Sequence, residues 1–71
     1  MANKHYKTYV ERLYEIGDSA YNEYNDMQLE LKNMPKDSKM YIYTIQIGLK
    51  HHFIAEQCYN LADRIKDVFY E

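Results

Sequence analysis

A chain of 71 residues, 46% hydrophobic and 28% charged, is too apolar for a disordered tail and has room for one domain only. Its size is close to the point where a single core needs help from a disulfide, a metal or a second copy. The formal charge of −2, with lysines and carboxylates interleaved, excludes the basic surface that DNA binding depends on.

The amino end, "MANKHYKTYV", lacks the apolar segment of a signal peptide, and no run approaches the ~20 apolar residues of a membrane span. The lone Cys58 cannot close an intrachain disulfide and lacks the partners of a zinc or redox motif. The expected location is therefore the cytoplasm.

The first element follows from spacing. Tyr6, Val10, Leu13, Gly17, Ala20, Tyr24, Met27, Leu31 and Met34 recur in alternating steps of four and three, the heptad seam of a helix. Glu11, Glu15, Asp18, Asn22 and Asp26 fall on the other side, so a helix over about 5–33 should turn an acidic face to water. The stretch "NMPKDS" ends it. Pro35 disfavours helical geometry at Met34, and Asp37 or Ser38 can cap the next helix.

Beyond the turn at 34–38, Met40, Thr44, Ile47, His51, Ile54, Cys58, Leu61, Ile65 and Val68 repeat the same steps, predicting a second helix over about 39–70. The expected fold is all-α: one helical-hairpin domain over residues 1–71, its two long helices antiparallel. Within the second helix, "MYIYTIQIGL" (40–49) has the composition of a strand. As a helix it costs about 0.5 kcal/mol per residue against the best formers, a few kcal/mol in total, but Met40, Thr44 and Ile47 run in register with the rest of the second helix. No second strand is available to pair with it inside the chain, so helix is expected; the alternative is a strand paired with its own copy across a twofold axis.

As a helix, this segment has a second apolar side made by Ile42, Ile45, Leu49 and Phe53, which one partner helix cannot cover. The expectation is a homo-oligomeric helical bundle, dimeric or larger, with these four residues between chains; a monomeric hairpin with an exposed apolar patch is the alternative. Folding back near Lys36 sets Gly48 opposite Tyr24 and Gly17 opposite Ala55. Glycine inside a helix costs about 1 kcal/mol, so close packing should compensate at both. The competing reading leaves a ligand cavity beside Gly17, Ala20 and His51.

Chemistry-bearing motifs are sparse. His51 and His52, adjacent in sequence, point about 100° apart on a helix and cannot share one metal. His52 and Glu56 share a face with Tyr59 and Asp63 but meet no inward carboxylate from the first helix, so a solvated face is expected and no metal site. No phosphate-binding loop, catalytic triad or nucleophile context is present. The expectation is a protein without catalytic residues or cofactor. Nine tyrosines are the strongest compositional signal. Tyr9, Tyr14, Tyr21, Tyr43, Tyr59 and Tyr70 flank the seams or face outward, where they suit recognition; an AT-rich coding sequence explains the same excess.

Two antiparallel helices joined by "NMPKDSKM" and followed by "GLKHHFIAEQ" resemble the helical hairpin of phage anti-CBASS sponge proteins. That resemblance implies an oligomer that sequesters a cyclic nucleotide, with Lys36, Lys39, Lys50 and Tyr43 near the turn as the groups available for phosphate and base. Two function classes are expected: a phage or mobile-element accessory protein or inhibitor in the host cytoplasm, which sets the tyrosine-rich and acidic face of the first helix against a basic surface of a host protein, and a nucleotide sponge with sites between protomers. Tyr9, Tyr14, Tyr21, Tyr43, Lys36, Lys39, Lys50 and His51 are the candidate contacts. Neither involves a membrane or DNA.

Overall fold

Alternating four- and three-residue spacing of apolar side chains produces two helices, α1 (Asn3–Leu31) and α2 (Lys39–Phe69), in a computed structural model that describes the backbone of residues 3–69 and the side chains of 7–68. The seam position expected for Tyr6, the outward position expected for Tyr70 and the end of the second helix at 70 lie outside these described residues. The segment 40–49 is helical throughout, because its seam runs on in register with the rest of α2 and outweighs its β-type composition.

The turn is built from local hydrogen bonds. Lys32, Asn33 and Met34 donate their amides to the carbonyls of Leu29, Glu30 and Leu31 at 3.1–3.3 Å, a tightening to three-residue spacing that closes α1 before Pro35. Ser38, not Asp37, caps α2: its Oγ accepts the Tyr41 amide at 3.1 Å and donates to the Pro35 carbonyl at 2.9 Å. Such a cap contributes about 1 kcal/mol.

The two helices pack along their length into a rod 55 × 14 × 13 Å. Its core consists of Val10, Leu13, Ala20, Ala55 and Ala62, with Thr44 the buried polar member. On α1 the seam is the expected one. On α2 it is rotated by one residue: Thr44, His51, Cys58 and Ile65 keep their places, but Tyr41, Gly48, Ala55 and Ala62 replace Met40, Ile47, Ile54 and Leu61. Ile47 and Ile54 are half-buried, while Met40, Leu61 and Val68 are exposed.

Aromatic rings from both helices explain the rotation. Tyr24 lies over Gly48, its Cδ1 3.8 Å from where a Cβ would stand, and Tyr59 covers Gly17 so closely that a Cβ there would meet Cε1 at 2.7 Å. Gly17 therefore lies under the Tyr59 ring, one turn along α2 from Ala55. Glycines on the seam leave room for these rings directly over the facing helix.

The two glycines consequently differ. A methyl at Gly48 meets only ordinary van der Waals neighbours, so Gly48→Ala should stabilise the chain by about 1 kcal/mol through helix propensity. Gly17→Ala must displace the Tyr59 ring and should give no such gain. Thermal unfolding of the two variants side by side checks the contrast.

Candidate binding surface

Two flanks run along the hairpin, one on either side of the seam, and they differ in chemistry. The first is aromatic and polar. Tyr14 donates its hydroxyl to Asp63 Oδ1 at 2.7 Å, and Tyr59 donates to Asp18 Oδ1 at 2.6 Å. The segments "YEIGD" (14–18) and "YNLAD" (59–63) thus present tyrosine and aspartate four residues apart on each helix. Running antiparallel, each tyrosine meets the other's aspartate. Lys66 donates to the Tyr14 hydroxyl at 3.5 Å and lies 5.5 Å above its ring, a cation–π approach.

Closer to the turn, His52 stands 4.8 Å from the Tyr24 ring and 6.2 Å from Tyr21, which meets Tyr24 edge-on at 5.9 Å. With the Tyr14–Tyr59 ring pair at 6.1 Å, this flank is a clasp between helices, its rings packed on one another. Asp18, expected on the solvated acidic face, is drawn into it.

One titration reports on the clasp. The hydrogen bond to the Asp18 carboxylate, together with desolvation, pushes the Tyr59 phenol up from 10.0 to about 12, because the carboxylate accepts from the neutral form and repels the phenolate. The folded state thus holds this proton more tightly than the unfolded one. The associated stability is fully present below pH 10 and is lost as pH rises through about 12. Ultraviolet titration of phenolate should show Tyr59 ionising near 12, and Asp18→Asn should move it back toward 10.

The second flank is apolar along α2, where Met40, Ile47, Ile54, Leu61 and Val68 share one line; the facing line of α1 carries Tyr9 and Ile16 and, nearer the turn, the exposed Glu23 and Glu30. These two lines must face the same way, since the Tyr14/Asp18 and Tyr59/Asp63 sides already meet across the seam. A third surface, the outer side of α2, carries Ile42, Leu49 and Phe53 at 56%, 60% and 63% exposure. Ile45 is half-buried beside the seam, apart from those three.

The candidate contact residues do not converge. Tyr14 and Tyr21 belong to the clasp, Tyr9 to the apolar flank, and Tyr43 and Lys50 to the exposed side of α2 away from both; Lys39 opens α2. Lys36 lines an open cavity of about 330 Å³ at the turn with Gln28, Leu31, Lys32, Met34 and Tyr41. His51 is half-buried in the seam, and the cavity considered beside Gly17, Ala20 and His51 is filled at Gly17 by the Tyr59 ring. Among the described residues, no three His, Cys, Asp or Glu side chains come together as metal ligands, and no helix is long and apolar enough to cross a membrane.

The reciprocal Tyr–Asp pairs were missed in reading the sequence, although the repeated tyrosine–aspartate spacing was there to find once the hairpin register is set. No protein-family model matches the chain, and neither a curated protein nor a solved structure matches it.

Proposed function

We propose that the protein is a small non-enzymatic binding module that assembles with its own copies and acts by covering a surface of a host protein, as an accessory or inhibitory factor of a phage or mobile element. The observation that carries this reading is the outer side of α2. Ile42, Leu49 and Phe53 are each more than half exposed on one element, and contiguous apolar patches of this kind mark contact surfaces. The polar side chains do other work: the clasp phenols and carboxylates are paired with each other and hold the hairpin shut.

Crosslinking in host lysate tests the reading when wild type is compared with a Leu49→Glu/Phe53→Glu variant of unchanged helical content. A protein retained by wild type and lost by the variant supports it. Identical captured sets would sink it.

The turn cavity favours a second reading, a sponge for a cyclic nucleotide. Lys32 and Lys36 offer two ammonium groups and Tyr41 an aromatic ring around one opening. A ligand bound only to the folded state raises the melting temperature, so a shift with a cyclic nucleotide that Lys36→Glu removes would support this reading, and no shift with any such nucleotide would end it.

A further inference from the structure

We infer that the apolar flank is a contact between two copies of this chain, related by a twofold axis that crosses α2 at Ile54. The inference rests on the reading that the chain self-associates and adds the face, register and symmetry. Met40, Ile47, Ile54, Leu61 and Val68 recur every seven residues without a polar interruption, the spacing that keeps a stripe on one side of a supercoiled helix. The intrachain seam does not consume it: Met40, Leu61 and Val68 remain 58%, 41% and 65% exposed. A seam toward one neighbour with an apolar stripe immediately beside it is the pattern of a helix with two neighbours, as in a four-helix bundle.

Area and symmetry identify the occupant. The chain presents 5665 Å², whereas a compact monomer of its mass exposes about 4,700 Å². The excess, about 1,000 Å² over the whole 55 × 14 × 13 Å rod, leaves room for the ~800 Å² that each partner buries in a stable pair. The stripe also complements itself. An antiparallel copy centred on Ile54 sets Met40 against Val68 of the other copy, Ile47 against Leu61, and Ile54 against its equivalent.

Charge agrees with that register. Tyr21 meets His52 and Gly17 is covered by Tyr59, so the part of α1 level with Ile54 lies near Ser19 and Ala20. The same axis then brings Arg12, which pairs with Glu15 of its own chain at 3.3 Å, near Asp26 of the other copy, and sets Tyr9 and Ile16 opposite Glu30 and Glu23. Stacking the hairpins with both turns at one end would instead bring Arg12 against Arg64, a like-charge contact at the rim.

Disulfide trapping tests the register. In a Cys58→Ala background, Met40→Cys/Val68→Cys places thiols 28 residues apart on one helix, about 42 Å, too far to bond within a chain. Mild oxidation should yield a covalent species of twice the 8.6 kDa chain mass, and Leu49→Cys/Val68→Cys should not. By sedimentation the wild type should be dimeric. Leu61→Glu should raise the dissociation constant about tenfold or more with helical circular dichroism retained, and Phe53→Glu should leave the dimer intact; Val68→Glu replaces Leu61→Glu if that variant loses helix. A dimer without the 40/68 crosslink, or one opened by Phe53→Glu and not by the flank variants, overturns this face and leaves self-association standing. A monomer at high protein concentration overturns both.

Discussion

Leu13→Ala is expected to destabilise the protein by about 3 kcal/mol, within the range for deleting a buried leucine side chain. Leu13 is buried with Val10 and Ala62, and Tyr14, Cys58 and Ile65 close over the three. These neighbours are held by two continuous helices and, at Tyr14, by the hydrogen bond to Asp63, so they cannot collapse far into the space left behind. Among the described residues no large side chain is fully buried, which leaves little elsewhere to offset such a loss in a chain of this size. Urea unfolding followed by circular dichroism measures it. A loss below about 1 kcal/mol would show that the site relaxes and that the core does not reside there.

Ala62→Leu is the reverse perturbation, expected to cost about 1–3 kcal/mol by overpacking. Ala62 has no exposed surface and sits where the helices run close, immediately before Asp63 of the clasp. A larger side chain must push α1 away, stretching the Tyr14–Asp63 bond of 2.7 Å. Combined with Leu13→Ala, the same substitution partly refills the vacated space. The double variant should therefore be more stable than the sum of the two losses predicts, by about 1 kcal/mol. Strict additivity in the same urea experiment would mean that residues 13 and 62 do not share one cluster.

The all-α hairpin, the stop before Pro35, the start of α2 at Lys39 and the α1 seam from Val10 to Leu31 were all legible in the chain, since each depends on local rules of spacing, capping and proline geometry. Folding the chain back at Lys36 also placed Tyr24 at Gly48. Which side of α2 faces α1 emerges only from the packing of the two helices. Periodicity locates a stripe to within one residue, and α2 offers two adjacent stripes: large aliphatics at Met40, Ile47, Ile54 and Leu61, and small residues at Gly48, Ala55 and Ala62. Hydrophobicity alone selects the first. The second is used because the Tyr24 and Tyr59 rings occupy the space between the helices and need partners without bulk, and because the paired tyrosines and aspartates at 14, 18, 59 and 63 can close only at that rotation. Displacing the aliphatics by one position to the flank leaves them exposed, a consequence visible only once both helices are in place.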